Sequence, residues 1–169
     1  MKYMLTIVLG SSIFSTDLTA QEAPVVRSVE VVDFGTYRIE AKEKPIPMPS
    51  ACSGAVQLVP SAVLITQGNQ IPATLKTTFG FHFILKGAPI GAEANVDTVV
   101  KHPAFKKPDG TMTSTTENLS CHYKIGDVVG FLYEFTNAWE AVPGKWTIEI
   151  WQGGKKLAGK EFEVLPERK

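Results

Sequence analysis

The chain has 169 residues, and its 17 Lys and Arg balance 17 Asp and Glu, so the formal net charge is zero. Nucleic acids and anionic membrane surfaces both require a concentrated basic patch, whereas the longest basic runs here are pairs such as Lys106-Lys107. This balance argues against both as the main partner. The length suits one domain with its own hydrophobic core and leaves no room for a second.

Residues 1–20 follow the order of a secretory signal peptide. Lys2 precedes a short, mostly apolar run from Tyr3 to Phe14, and Ala20 supplies a small residue at the expected cleavage point. The alternative is a membrane anchor, but the run is shorter than the roughly 20 residues that a bilayer span needs. We therefore expect cleavage after Ala20, no membrane span in the mature chain, and a periplasmic or secreted protein.

The first extended segments follow the signal. Val25 to Asp33 is rich in valine, and Phe34 to Ile39 continues as a second extended piece, with a bulge or bend predicted at Gly35. Residues 44–54 then contain three prolines at alternate positions, which exclude both helix and central strand. We expect a surface loop there.

The middle of the chain predicts the centre of the core. Val56 to Thr66 is apolar but is interrupted by Pro60, which indicates an edge strand or two shorter pieces. Thr77 to Leu85 then places its heaviest apolar side chains on one face of a strand: Phe79, Phe81, Phe83 and Leu85. Burial of such side chains contributes roughly 1.5 to 3 kcal/mol each, more than on any other predicted strand. Further strands are predicted at 94–100, 121–125 and 128–135.

The last part of the chain predicts a β-hairpin. Trp146, Ile148 and Ile150 alternate with polar or exposed positions, as in a strand with one buried face. Gly153-Gly154 follows at once, and two glycines tolerate the positive φ that a tight two-residue turn requires.

The return strand of this hairpin breaks its own alternation. Folding about the turn places Ile150 opposite Leu157, but Leu157 and Phe162 are five residues apart and cannot share a face of a regular strand. One extra residue near Ala158-Gly159 would bring Phe162 opposite Trp146. The spacing therefore predicts a β-bulge there.

The whole pattern predicts an all-β fold. Some eight to nine short extended segments recur with turn signals between them, and no window keeps helical spacing over three turns. An antiparallel immunoglobulin-like β-sandwich fits best, and a small β-barrel is the alternative. We expect a single domain over residues 29–165, preceded by a lead-in at 21–28.

The two cysteines, Cys52 and Cys121, allow three interpretations. In an exported chain an even pair indicates a disulfide, here closing a loop of 68 intervening residues. Free thiols are the second. The third is a soft-metal site for copper or zinc that uses Cys52, Cys121 and His122, although no short ligand spacing supports it. No motif predicts a cofactor.

Several blocks of sequence resemble a family of exported proteins of Gram-negative bacteria, catalogued as domain of unknown function 3859. The blocks are Asp33 to Tyr37, Ile71-Pro72-Ala73 with Phe79-Gly80, Gly87 to Gly91, His102-Pro103, Val142 to Trp146, Ile150-Trp151, Leu157 and Phe162-Glu163-Val164. The resemblance spans roughly residues 29 to 165. It implies an all-β, immunoglobulin-like domain and brings no catalytic residues with it.

The search for chemistry finds no nucleophile elbow, P-loop, dinucleotide-binding glycine motif or H-E-x-x-H zinc motif. We therefore expect a non-enzymatic binding or accessory module that meets another protein or an envelope glycan. Trp139 and Trp151 are candidate contact residues, and an unpaired strand edge is another route. The opposing interpretation of Trp151 is that a second sheet or a loop covers it.

Overall fold

The structure is a computed structural model that describes residues 23–48, 51, 55–57, 59 and 61–167. The predicted signal peptide and Cys52 lie outside this part of the chain. The strands found within it are β1 (Val25–Ala41), β2 (Ile46–Pro47), β3 (Ala55–Val56), β4 (Ser61–Gln67), β5 (Gln70–Pro72), β6 (Thr78–Ala88), β7 (Glu93–Lys101), β8 (Thr116–Lys124), β9 (Val128–Glu134), β10 (Gly144–Gln152) and β11 (Lys155–Leu165). A 3₁₀ turn, Ala138–Glu140, precedes β10.

Two sheets pack face to face, which confirms the predicted sandwich. One has four strands in the order β4-β1-β6-β9, and the other has five in the order β5-β11-β10-β7-β8. Neighbouring strands run antiparallel, except that β5 pairs with β11 in parallel over three residues. The short strands β2 and β3 form a separate ribbon. We call this ribbon and its described neighbours, residues 42–48, 51, 55–57 and 59, the arm.

The core lies where the predicted phenylalanine strand faces the closing hairpin. On β6, the inward side chains of Phe79, Phe81, Phe83 and Leu85 are completely buried. Trp146 of β10 is also completely buried, with its ring centroid 5.6 Å from that of Phe79 in an edge-to-face contact. Such aromatic pairs stabilise by about 0.5–1.5 kcal/mol beyond the burial of their area. Both predicted halves of the core are therefore confirmed.

The hairpin of β10 and β11 has the predicted turn and the predicted pairing of Trp146 with Phe162, but its bulge lies at a different residue. Gly153 and Gly154 have φ of 55° and 77°, and Trp146 lies opposite Phe162. Ile150, however, lies opposite Ala158 and not Leu157, because Leu157 itself is the extra residue. The prediction of a bulge at Ala158-Gly159 was wrong by one or two positions.

A contact across the strands explains the position of the bulge. With Leu157 looped out, Lys156 points to the outer face, and its Nζ reaches Glu149 Oε1 at 2.7 Å. Gly159 lies opposite Glu149, and a Cβ there would stand 3.1 Å from Lys156 Cε. Because Gly159 has no side chain, the Lys156 side chain can pass over it to reach Glu149. The spacing of the hairpin residues alone does not predict this contact.

The first strand is longer than predicted. β1 begins at Val25, inside the segment expected to be a lead-in, and continues without a break to Ala41. Its register against β6 shifts at Arg27 and again at Val32, and not at Gly35. Gly35 lies opposite Gly80 in regular pairing.

Gly35 is required for a close approach of two backbones. It has φ of +148°, and a Cβ built there would stand 2.0 Å from the carbonyl oxygen of Thr66 on β4. Gly68 has nearly the same φ, +149°, but a Cβ there would meet nothing within 4 Å. The two glycines therefore share a backbone conformation that residues with a side chain rarely adopt, and they differ in the space available for a side chain.

We expect Gly35→Ala to lower the free energy of unfolding by about 2–3 kcal/mol more than Gly68→Ala, since only the first forces β4 away from β1. Urea unfolding followed by tryptophan fluorescence measures both variants. Equal losses would show that φ alone, and not contact with β4, requires glycine at position 35.

Candidate functional site

Trp151 lies on the outer face of the five-stranded sheet, half-buried and fixed in orientation. Its Nε1–H donates to Glu149 Oε2 at 3.0 Å. Glu149 also accepts from Lys101 at 3.0 Å and from Lys156 at 2.7 Å, and only 6% of it is exposed. Trp151 is thus held by the carboxylate of Glu149 on its own strand. The two lysines that bond to this carboxylate lie on the flanking strands β7 and β11.

The environment of Glu149 lowers its pKa. Burial alone would raise the pKa, but hydrogen bonds from Lys156, Lys101 and Trp151 stabilise the carboxylate more and bring the pKa from 4.5 to about 2. This cluster is a rigid support for the outer face, because each of its members is bonded to another.

Trp139 belongs to a different part of the molecule. It lies in the 3₁₀ turn after β9, half-buried against the core, with its ring centroid 6.0 Å from that of Phe105. Phe105 in turn stacks on Trp146 at 5.5 Å. Trp146 and Trp151 are five residues apart on β10, about 17 Å along a strand. Trp139 lies near the Trp146 end of this distance, so Trp139 and Trp151 do not form one contact surface.

The proposed soft-metal ligands do not converge. Cys121 lies on the inner face of β8, where its Sγ is 3.8 Å from Thr98 Oγ1, whereas His122 is exposed on the opposite face. Adjacent strand residues point to opposite faces, so these two side chains cannot share an ion without distortion of the strand. Cys52 lies outside the described residues. Within them, no three His, Cys, Asp or Glu side chains are close enough to hold a metal ion.

The β4 edge has the features of an interaction surface. Of the strands that the structure describes, β4 pairs with β1 alone, so one side of its backbone faces outward. Ser61–Gln67 contains no charged residue, and Val63 and Ile65 are 42% and 61% exposed. Edge strands are normally protected by charges, proline or a bulge, because free backbone groups recruit other chains. β4 has two of these protections, Pro60 before the strand and a bulge at Ile65, but it lacks the charged residues that most strongly oppose pairing with another chain.

Two clefts on the four-stranded sheet are lined in part by Ile65 of β4 and in part by residues of its neighbouring strands. One of about 370 Å³ lies between β4 and the turn before β6 and is lined in part by Ile65, Leu75 and Lys76. The other, of about 310 Å³, is also lined by Ile65 and Lys76 and reaches Glu134 of β9. Tyr37 lines both. The clefts are therefore neighbours, and each has apolar and charged walls.

Tyr37 is held in place by a cluster that the sequence did not predict. Its hydroxyl donates to Asp33 Oδ1 at 2.6 Å, and His82 Nδ1 lies 2.8 Å from the same oxygen. The rings of Tyr37 and His82 meet edge to face with centroids 4.8 Å apart. Burial and the Asp33 carboxylate raise the pKa of Tyr37, so its hydroxyl keeps its proton. Positions 33 and 37 share a strand face by period two, but their meeting with residue 82 requires the sheet.

A third cavity, of about 300 Å³, lies at the other open side of the sandwich. The arm contributes Ala51 and Val56 to its walls, and the edge strands β8 and β9 contribute Leu119 and Phe131. Glu117 also lines it, with Oε1 3.3 Å from His102 Nε2 in the core. The arm thus covers the side on which β8 and β9 end the two sheets.

The fold defines an immunoglobulin-like β-sandwich, and the comparisons agree. An immunoglobulin-like protein from Pseudomonas aeruginosa superposes with a TM-score of 0.55 at 24% identity, over 86% of this chain and 99% of that one. The alkylpurine DNA glycosylase AlkC from Pseudomonas fluorescens, bound to DNA containing an abasic site analog, superposes with a TM-score of only 0.36 at 16% identity, over 57% of this chain and 27% of that one.

The chain belongs to the family described as Domain of unknown function (DUF3859), whose model matches residues 25–164. This confirms the resemblance that the sequence blocks indicated. Comparison with curated proteins finds no match. Among the described residues there is no helix with the length and apolar character that a membrane crossing requires.

The Glu149 cluster predicts a pH dependence of stability. The folded-state pKa lies below the ordinary value of 4.5, so the stabilisation is complete above pH 4.5 and is lost as pH falls from there through about 2. We expect Glu149→Gln to cost about 1–3 kcal/mol at pH 7 and much less at pH 2. Urea unfolding at a series of pH values measures this difference. Glu161→Gln, which removes an exposed partner of Lys145, is the matched control and should cost little at any pH.

The disulfide between Cys52 and Cys121 remains a prediction, since Cys121 is a free cysteine in the structure and Cys52 lies outside the described residues. Ala51, next to Cys52 in sequence, is buried and lines the same cavity as Leu119, which precedes Cys121 by two residues. Protein recovered from a periplasmic extract should have the mass of the chain without residues 1–20, and its thiols should react only after reduction. Two thiols that react without reductant would contradict the disulfide.

Proposed function

We propose that this protein is an exported, non-enzymatic binding module that acts in the periplasm and pairs the β4 edge with an extended segment of another protein. The observation that carries the proposal is the apolar, uncharged edge of β4, with Val63 and Ile65 exposed beside two clefts. In strand addition, backbone hydrogen bonds give affinity, and pockets for alternate side chains give specificity. The edge and its clefts offer both.

This edge is a better candidate than the two tryptophans. Trp139 packs toward Phe105 and the core, and Trp151 is bonded to Glu149 within its own sheet. Neither tryptophan lines the two clefts described above, whereas Ile65 lines both. Specific recognition uses concave sites with a few fixed polar groups, as around Tyr37.

Export is supported by the sequence of residues 1–20, with a basic start, a short apolar run and Ala20 at the expected cleavage point. A mature domain that begins near residue 21 would keep all of β1, which begins at Val25. The soft-metal alternative has less support, because Cys121 and His122 point to opposite faces of β8.

Ile65→Lys tests the proposal. The side chain is 61% exposed, so we expect stability to change by no more than about 0.5 kcal/mol. A lysine at the edge disfavours strand pairing. Immobilised mature domain is incubated with solubilised cell envelope, and the retained proteins are quantified by mass spectrometry. The variant should lose what the natural chain retains.

Val128→Lys is the matched control, since Val128 is 60% exposed on β9 at the opposite edge of the same sheet. It should retain the same proteins as the natural chain. Equal retention by Ile65→Lys and the natural chain would contradict the assignment of binding to β4.

A further inference from the structure

The cavity between the arm and the strands β8 and β9 has mostly apolar walls. Leu119 and Phe131 contribute from the strands, and Ala51 and Val56 contribute from the arm. Its volume of about 300 Å³ lies at the lower end of the range for sites that take small molecules. Walls of this kind favour the apolar body of a ligand, because burial removes that body from water.

The cavity also has polar groups, and they differ in depth. Asn137 and Lys42 line it but are engaged with carboxylates, since Asn137 Nδ2 donates to Glu140 Oε1 at 2.9 Å and Lys42 pairs with Glu134. Of the charged described residues that line the cavity, only Glu117 is buried, with 2% of it exposed. A ligand that enters the cavity therefore meets its deepest polar group at Glu117.

Glu117 is paired with His102 behind it. Glu117 Oε1 lies 3.3 Å from His102 Nε2, and His102 Nδ1 lies 2.8 Å from the carbonyl oxygen of Pro103. A carbonyl oxygen only accepts hydrogen bonds, so Nδ1 carries a proton. Two arrangements avoid opposed lone pairs between Nε2 and Oε1: a cationic His102 beside an ionised Glu117, or a neutral His102 beside a protonated Glu117. The pair has no net charge in either arrangement.

This pair restricts the head group that a ligand can place beside it. An ionised carboxyl group has about four acceptor positions, and its carbonyl oxygen still accepts when the group is protonated. A head group that donates a hydrogen bond to Glu117 therefore suits both arrangements, whereas a ketone or an ether brings only further lone pairs. A charged head group is disfavoured, because a pair without net charge supplies no counter-charge for its burial.

We propose that this cavity binds a small, uncharged alcohol. The apolar body of the alcohol lies against Leu119, Phe131 and Val56, and its hydroxyl group donates to the carboxyl group of Glu117. The site is formed by β8, β9 and the described part of the arm, on the side of the sandwich away from β4. This small-molecule site is a second binding function beyond strand addition at β4, and either proposal can fail without the other.

Three ring compounds test the head group: cyclohexanol, cyclohexanone and cyclohexylamine. They share one ring size and one number of non-hydrogen atoms, and they offer a donor, an acceptor and a cation. Each is titrated into ¹⁵N-labelled mature protein at pH 7, and the amide signals of Leu119 and Phe131 are followed by NMR. We expect cyclohexanol to bind with a dissociation constant of about 0.1–1 mM. Cyclohexanone and cyclohexylamine should bind about tenfold more weakly, as expected when a buried hydrogen bond is lost.

Val56→Phe tests the location of the site. Val56 is half-buried on the arm and lines the cavity, so the larger side chain takes up space that the ring would occupy. The variant should keep the two sheets intact and lose the shifts caused by cyclohexanol. Val63→Phe, the same exchange at an exposed residue of β4, is the control and should bind cyclohexanol like the natural chain.

Glu117→Gln tests the contact with the hydroxyl group. An amide both donates and accepts, so the variant should bind cyclohexanol and cyclohexanone about equally. A role of Glu117 in stability alone would lower the midpoint of urea unfolding and leave the tenfold ratio between the two compounds unchanged.

Four results would overturn the inference. The absence of saturable shifts at Leu119 and Phe131, up to the solubility of cyclohexanol, would refute the site. Equal affinity of the natural chain for alcohol and ketone would refute the contact with Glu117, and tighter binding of cyclohexylamine would identify a cation as the ligand. Binding of cyclohexanol that survives Val56→Phe would place the alcohol outside this cavity.

Discussion

The contact between Phe79 and Trp146 is the constraint on which the rest of the molecule depends. It joins the central part of the four-stranded sheet to the central part of the five-stranded sheet, and both rings are completely buried. Phe162, opposite Trp146 on β11, also meets Phe79, with centroids 5.3 Å apart. Three aromatic rings from three strands thus fix how the sheets face each other. The edge strands, β4 and β9 of one sheet and β5 and β8 of the other, lie on either side of this core.

The two open sides of the sandwich are treated differently. On the side of β8 and β9 the arm covers the gap, and its Ala51 and Val56 lie near Leu119 and Phe131. On the side of β4, the described part of the chain provides no such cover, and β4 keeps an apolar edge. Since uncovered edges recruit other chains, this contrast among the described residues supports the binding role that we propose for β4. The immunoglobulin-like fold alone would not, because this architecture carries many functions.

The sequence alone predicted the features that depend on residues close together in the chain. The alternation of Phe79 to Leu85, the Gly153-Gly154 turn and the pairing of Trp146 with Phe162 follow from period two and chain geometry. From Pro60 we predicted an edge strand or two shorter pieces, and this is confirmed, because β3 and β4 are separate strands and β4 ends its sheet. These features depend on residues close in sequence or on parity within a single hairpin.

The features that sequence missed depend on contacts between distant strands. The bulge at Leu157 is set by the path from Lys156 to Glu149, which exists only after the hairpin has formed. Asp33 meets His82 across 49 residues, and no local signal marks that pair. The same holds for Glu134, which joins Lys42 at the start of the arm to Lys76 at the clefts. Glu134 thus ties the start of the arm to the turn before β6, and no pattern within either segment predicts that contact.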